Sequence, residues 1–237
     1  MEGTMAWLRD ISLIACVIFS ACMSPACAGD APGVLFIHGW RGTPAYFAGA
    51  AALFESRGYQ VSFVRLHDQS DGSKTRAEYL KVTRDAYDTL ARASSINAKR
   101  ITVVGFSFGS YLAGILSQER TVHRLILFAP ASYPDEGFST EAMHEMFETP
   151  TRYTSILAWR HLSHTCNSHR LAVALCAFSG DTLILSSEFD SVIPLLTIEG
   201  LHPANITRHT IQDARHTLSS EQLILATETV ILPWIDQ

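Results

Sequence analysis

Residues 101–109 read Ile-Thr-Val-Val-Gly-Phe-Ser-Phe-Gly, and this stretch decides the fold. Residues 101–104 predict a buried strand, and residues 108–118 predict a helix directly after it. Between them, glycines at 105 and 109 frame Ser107 and allow strand and helix to approach closely around a sharp turn. The stretch therefore predicts a strand–turn–helix unit.

Strands and helices alternate on both sides of this unit. Residues 34–37 form a continuous apolar run, which is typical of a strand buried on both faces. Further strands are predicted at 60–65, 124–128, 182–185 and 206–211, and further helices at 44–57, at 75–93 and from Ser219 to Pro233. Apolar strands that alternate with helices form a layered sheet. The predicted fold is therefore α/β, with a mostly parallel sheet of about six strands and helices on both faces.

One interval, at about 131–180, does not follow this alternation. It is too long for a plain crossover and shows no clear strand. Its aromatic residues include Tyr133, Phe138, Phe147, Tyr153 and Trp159. We expect a small, cap-like helical insertion over one end of the sheet.

Composition and charge narrow the class of protein. The 237 residues are 47% hydrophobic and 17% charged, which suits a compact globular chain and excludes a disordered one. The net charge of −5 argues against a nucleic-acid binder, which needs a basic face.

The first 28 residues predict a signal peptide. Residues 11–22 form an uncharged apolar core after Arg9, and the small residues at 26–28 offer a cleavage site before Gly29. An apolar tail or an uncleaved anchor is the alternative. Residues 29–237 then form one domain, exported to the periplasm or secreted.

The cysteines leave two questions open. Phe19-Ser20-Ala21-Cys22 resembles a bacterial lipobox, so the protein would contact a membrane only if Cys22 were lipidated. Cleavage after residue 28 would leave Cys166 and Cys176, which are a disulfide candidate in an exported chain. The sequence does not place their Cα atoms, so the bridge stays open.

The central unit also suggests chemistry. Gly105-Phe106-Ser107-Phe108-Gly109 has the G-x-S-x-G pattern of a nucleophile elbow, which lifts Ser107 Oγ clear of the sheet. The alternative is an ordinary turn that is rich in small residues. His38-Gly39-Trp40, after the first strand, could form an oxyanion hole, with the backbone N–H groups of Trp40 and Phe108 as donors. The alternative there is a tight turn with a structural histidine.

Through these motifs the chain resembles the α/β-hydrolase superfamily of serine hydrolases. Residues 32–40 resemble its first strand and oxyanion loop, 189–194 its acid loop and 213–218 its histidine loop. The resemblance covers residues 32–235. It implies the chain order serine, acid, histidine, with Ser107 as nucleophile, Asp190 as acid and His216 as base.

Other carboxylates and histidines lie near these residues in the sequence. Glu188 and Asp213 are alternative acids, since both lie close to the same loops, whereas His209 falls inside the last strand. The cluster His161, His164, Cys166 and His169 is weak support for a metal site, and solvated histidines near a disulfide are the favoured interpretation. No metal or cofactor is expected.

The resemblance implies an exported esterase that acts on small-molecule carboxylic esters of small or medium acyl chains. Thioesters or peptide-like amides are alternative substrates, because the same residues serve all acyl transfers. A non-catalytic binding protein on the same fold is the alternative from another class. The oligomeric state is left open.

Overall fold

The structure, a computed structural model, describes residues 29–66, 74–131, 170–193 and 195–237. The strands are β1 (Ala31–Ile37), β2 (Gln60–Val64), β3 (Ile96–Phe106), β4 (Arg124–Phe128), β5 (Asp181–Phe189) and β6 (Asn205–Arg215). The helices are α1 (Ala48–Ser56), α2 (Arg76–Ala91), α3 (Phe108–Glu119), α4 (Arg170–Ala177), α5 (Leu195–Glu199), α6 (Ser220–Ala226) and α7 (Leu232–Ile235). A 3₁₀ turn, Pro44–Phe47, leads into α1, and a π-helical turn, Thr227–Ile231, joins α6 to α7.

The six strands form one parallel sheet in the order β2-β1-β3-β4-β5-β6. The predicted α/β class and its six-stranded parallel sheet are thereby confirmed. From β1 the chain moves outward to β2 and then returns past β1 to β3, so the strand order reverses between β1 and β3. Ligands of open α/β sheets bind beyond the carboxyl ends of the strands at such a reversal. Ile37 is level with Gly105 in the register, so the loop after β1 and the turn after β3 leave the sheet side by side.

Two hydrophobic layers cover the sheet. Alternate β1 residues point to opposite faces: Leu35 and Ile37 pack among the side chains of α2, α3 and α4, while Val34 and Phe36 pack among those of α1 and α6. Fully buried apolar side chains on both faces explain the continuous apolar run in the sequence.

Helix starts follow their sequence signals. Thr75 accepts a hydrogen bond from the N–H of Glu78, whose carboxylate in turn accepts from the N–H of Thr75. Ser219 and Gln222 form the same reciprocal pair at the start of α6, as their spacing predicts. Both pairs satisfy N–H groups that a helix start leaves without intrahelical acceptors.

The prediction that Pro233 ends the last helix is wrong. Helical structure continues to Ile235, with Pro233 at the second position of α7. A π-helical turn directly precedes Pro233, and its wider hydrogen-bond pattern, in which the N–H of Leu232 donates to the carbonyl oxygen of Thr227, accommodates a proline within the continuing helix.

The interval 131–180 ends in a helix of the main core. α4 carries Leu171 and Leu175, both fully buried, and Leu171 packs so closely on α3 that a Cβ on Gly114 would lie 2.2 Å from its Cδ1. The predicted cap-like insertion falls mainly on residues 132–169, which lie outside the described residues, as do the signal peptide, Cys22 and Cys166. Within the described part of the chain, no helix is both long and apolar enough to cross a membrane.

Candidate active site

Ser107 occupies a strained turn between β3 and α3. Its backbone angles are φ 52° and ψ −114°, a combination that residues other than glycine rarely adopt. The flanking glycines explain why the pattern needs small residues. A Cβ on Gly105 would lie 2.5 Å from the Cα of Ser110, and one on Gly109 would lie 2.0 Å from the carbonyl oxygen of Ile37. Helix and strand therefore approach so closely that only glycine fits at either position.

Hydrogen bonds to β4 and its following residues hold this turn in place. The N–H of Ser107 and the hydroxyl of Ser110 both donate to the carbonyl oxygen of Phe128, at 2.8 and 3.0 Å. The N–H of Ala131 donates to the carbonyl oxygen of Ser107, at 3.3 Å. These contacts offset the strain at Ser107 and fix its side chain at the carboxyl end of the sheet.

Ser107, His216 and Asp190 form one hydrogen-bonded chain. Nε2 of His216 lies 3.0 Å from Oγ of Ser107, and Nδ1 of the same ring lies 2.8 Å from Oδ2 of Asp190. The side chains are 12% exposed for His216 and 2% exposed for Asp190. Both distances are within hydrogen-bonding range, so the ring can take a proton at Nε2 while its Nδ1–H donates to the carboxylate.

The loop after β5 aims Asp190 at the histidine. Oδ1 of Asp190 accepts hydrogen bonds from the N–H groups of Val192 and Ile193, at 2.8 and 2.7 Å. Because these bonds hold one carboxylate oxygen, the other points at His216. Ile193 is fully buried and anchors this loop in the core.

Of the two alternative acids, Glu188 binds the backbone of the histidine loop, and Asp213 is part of that loop. Oε2 of Glu188 accepts a hydrogen bond from the N–H of Asp213, at 3.0 Å. Asp213 has a φ of 52°, and its carbonyl oxygen accepts from the Gln222 side chain. The structure thus brings Asp190 to His216, whereas Glu188 binds backbone. His209 is exposed on β6, away from this chain of contacts.

The loop after β1 is braced by His38. Nε2 of this buried ring accepts from the N–H of Leu66 at 3.3 Å, and Nδ1 lies 2.8 Å from the carbonyl oxygen of Gly39. Burial lowers the pKa of His38, which favours the neutral ring with its proton on Nδ1. His38 is therefore a structural residue that shapes the loop carrying Trp40.

The two predicted oxyanion donors are neighbours. The rings of Trp40 and Phe108 meet edge to face, 5.7 Å apart, and Tyr79 packs against both. Phe108 is the first residue of α3, directly after Ser107, so its N–H lies at the positive end of the helix dipole. The loop after β1 and the start of α3 thus meet beside Ser107.

Some residues near the site were missed by the sequence analysis. The Phe106 ring lies 5.1 Å from the His216 ring, and Tyr46 stacks on Phe106 at 4.8 Å. For Phe106, its position within the G-x-S-x-G motif could have indicated a place near the site. For Tyr46, which is distant in sequence from the motif, there was no such signal. Over the described ranges, no group of three or more histidine, cysteine, aspartate or glutamate residues could hold a metal ion. The predicted weak cluster at 161–169 falls outside those ranges.

The sheet order, the turn at Ser107 and the two loops beside it define an α/β-hydrolase fold. Residues 34–221 match the model of the Uncharacterised protein family (UPF0227), and the chain belongs to this family. A comparison with the curated proteins finds no match.

Solved structures share the fold over most of the chain. MGS-MChE2, an α/β hydrolase from the metagenome of sediments of the lagoon of Mar Chica, Morocco, is 18% identical, with a TM-score of 0.60 over 88% of this chain and 92% of that one. Est1E from Butyrivibrio proteoclasticus, with ferulic acid bound, is 15% identical, with a TM-score of 0.65 over 90% and 92%. A structure reported with the metagenome-derived lipolytic enzymes LipS and LipT is 16% identical, with a TM-score of 0.60 over 88% and 94%. These similarities show the fold.

Proposed function

We propose that this protein is a serine hydrolase that cleaves carboxylic esters through an acyl-enzyme. The observation that carries the proposal is the continuous hydrogen-bonded chain from Ser107 Oγ through His216 to the buried Asp190 carboxylate. A serine is a weak nucleophile unless an adjacent base takes its proton, and this geometry supplies the base and a group that orients it.

In the proposed first half-reaction, Ser107 Oγ attacks the ester carbonyl carbon and its proton passes to Nε2 of His216. Asp190 stays ionised, accepts the Nδ1–H and stabilises the imidazolium. The N–H groups of Trp40 and Phe108 donate to the oxyanion. The tetrahedral intermediate collapses as the carbon–oxygen bond to the alcohol breaks, and His216 protonates the leaving oxygen.

In the second half-reaction, water replaces the alcohol. The water oxygen attacks the acyl carbon while His216 takes a proton from the water. The bond between the acyl carbon and Ser107 Oγ then breaks. His216 returns the proton to Oγ, and the carboxylic acid leaves. The chain's own residues supply each proton transfer.

The surroundings of the site favour apolar substrates. Trp40 is partly buried and packs on the buried rings of Phe108 and Tyr79, so it is the ring of this cluster that a substrate could reach. Phe189, next to Asp190, exposes 58% of its surface, and Leu195 exposes 45%. Apolar side chains around a few polar groups are typical of sites for small organic ligands. We therefore infer esters of small or medium acyl chains as substrates, in keeping with the ferulic acid bound to Est1E.

We expect a fluorophosphonate probe to label wild-type protein once, on Ser107, and p-nitrophenyl esters to be hydrolysed with a maximum at short or medium acyl length. The measurements are the mass of the labelled peptide and the rate of p-nitrophenol release across an acyl series. Faster turnover of matched thioesters or amides than of the esters would assign a different substrate class, with Ser107 still as the nucleophile. Absence of both labelling and turnover would instead indicate a binding protein on this fold.

Export is a separate proposal, which rests on the sequence of residues 1–28. Protein recovered from the periplasm or medium of its native host is expected to begin at Gly29 and, if Cys166 and Cys176 are bridged, to contain no free thiol. Intact mass before and after reduction and alkylation measures both properties. Retention of residues 1–28 would contradict cleavage, and a lipid on an N-terminal Cys22 would place the protein on a membrane.

A further inference from the structure

Phe106 directly precedes the nucleophile Ser107, and its ring contacts the rings of Tyr46 and His216. Its backbone ends β3, directly before Ser107, and its side chain is 8% exposed. The ring centroid lies 5.1 Å from that of the His216 imidazole, with 38° between the two planes. Phe106 therefore contacts the ring that the proposed reaction protonates.

Contacts on two further sides prevent the Phe106 ring from moving away. Tyr46, in the 3₁₀ turn before α1, stacks on it with centroids 4.8 Å apart and 28° between planes. Gly39, in the loop after β1, approaches so closely that a Cβ there would lie 2.9 Å from Cδ1 of Phe106. The ring is held between this loop, Tyr46 and His216.

The hydrogen bonds of His216 restrain one rotation of its ring only weakly. Ser107 Oγ and Asp190 Oδ2 bind the two ring nitrogens, and hydrogen bonds to an imidazole lie near the plane of the ring. They fix the direction of the ring, but they resist rotation about the line joining the two acceptors only weakly. A side chain packed against the imidazole blocks that rotation, because the interior is close-packed.

The contact also has an electrostatic consequence. A cation over the face of an aromatic ring and within about 6 Å of its centroid is attracted by that face, and we infer that the His216 imidazole, 5.1 Å away and tilted by 38°, lies over the face of Phe106. Leucine matches phenylalanine in apolar character and lacks this attraction. Phe106 would therefore favour the imidazolium that forms when Ser107 loses its proton.

We propose that Phe106 is a positioning residue that fixes the plane of the His216 ring and stabilises its protonated form. The inference rests on the proposed function and deepens it. Phe106 would act through His216, without a contact to the reacting atoms of the substrate.

Other ionisable groups surround His216 and stay unchanged when Phe106 is replaced. Across the described residues, the elements around the ring carry His38, Arg41, Tyr46, Glu188, Asp190, Asp213 and Arg215. Burial raises the pKa of Tyr46 to about 12, so its hydroxyl keeps its proton in the range of the experiment. Burial lowers the pKa of His38, so an NMR signal for His38 must be assigned separately.

The test compares Phe106→Leu with wild-type protein. We expect kcat to fall about 3- to 10-fold with little change in KM, and the acidic limb of the kcat/KM profile to move about half to one unit lower in pH. The direction follows because a less stable imidazolium loses its proton at lower pH, which makes the free base available there. NMR titration of the imidazole resonances, assigned with His216→Gln, is expected to show the same displacement without any turnover.

Two further variants keep the test decisive. Phe54→Leu also removes a fully buried aromatic ring, but on α1, and is expected to retain wild-type kcat and the wild-type pH profile. If Phe106→Leu does not fold, trifluorophenylalanine at position 106 keeps the shape and weakens the negative ring face. It should displace the pH profile in the same direction.

The outcomes separate this inference from the proposed function. A Phe106→Leu protein with unchanged kcat and titration would overturn the inference, and so would a lower kcat with an unmoved titration, which is the result expected of a space-filling ring. If wild-type protein neither hydrolyses esters nor reacts with fluorophosphonate, the proposed function fails. The NMR titration then still decides whether Phe106 stabilises the imidazolium.

Discussion

Replacing Ser107 by alanine is expected to lower kcat for ester hydrolysis about 10⁴- to 10⁶-fold, because the acyl-enzyme then has no oxygen on which to form. Thermal stability should stay close to that of wild-type protein. Alanine keeps the Cβ of this position and the backbone hydrogen bond to Phe128, and loses only the hydroxyl and its contact with His216. The measurements are kcat from p-nitrophenol release and the midpoint of thermal unfolding.

Ser117→Ala is the matched control for this prediction. Its hydroxyl donates to the carbonyl oxygen of Gly114 within α3, almost three helical turns after Ser107, so kcat should not change. A Ser107→Ala protein that kept a tenth of wild-type activity would rule out the serine-hydrolase mechanism. Loss of activity together with a large drop in the unfolding midpoint would show instead that the turn had collapsed.

The parts of the fold that were predicted from sequence are those with a local signal. The run at 34–37 is buried on both faces, which requires apolar residues at every position and makes the strand easy to recognise. The capping residues of α6 act within four residues of each other, so the spacing of Ser219 and Gln222 identifies them. Repetition of such units predicts the parallel sheet.

Features that depend on distant contacts were not predicted. β6 was expected at 206–211 and extends to Arg215, because Phe189 pairs with Arg215 beyond an irregularity in the ladder. This edge strand is largely exposed and carries polar residues, so it has no apolar pattern to show its length. α4 was not predicted as a separate core helix, because its residues were assigned to the expected insertion, although Leu171 and Leu175 have helical spacing.

The site divides in the same way. Ser107 lies within a motif whose glycines, two residues to either side of it, are recognisable in the sequence and are required by close contacts with Ser110 and Ile37. The position of His216 after the last strand followed from the chain order. The acid could not be assigned from local sequence alone, because Glu188, Asp190 and Asp213 all lie near the correct loops. The resemblance favours Asp190 among them, and the contact of Asp190 with His216, beside that of Glu188 with the backbone of Asp213, agrees with it.

The geometry predicts which carboxylate orients His216. Asp190 has one oxygen on Nδ1 of the ring and the other on two backbone N–H groups, and its side chain is 2% exposed. An asparagine at this position could present its NH₂ group to Nδ1, which would stabilise the wrong tautomer and leave the imidazolium without a counter-charge. Glu188 binds the backbone N–H of Asp213, and glutamine retains an oxygen that accepts this bond.

Asp190→Asn is therefore expected to lower kcat about 10⁴-fold with little change in KM. Glu188→Gln should lower it only a few-fold. Asp181→Asn, at the opposite end of β5, is the control that should leave kcat unchanged. Steady-state kinetics on one p-nitrophenyl ester, at a pH where wild-type activity is maximal, measure all three variants.

A nearly normal kcat for Asp190→Asn, beside a strongly lowered kcat for Glu188→Gln, would transfer the role of the acid to Glu188. Ser107 and His216 would keep their roles. The reverse result ties the charge of Asp190 to the two steps in which His216 becomes protonated, since these steps create a cation next to it.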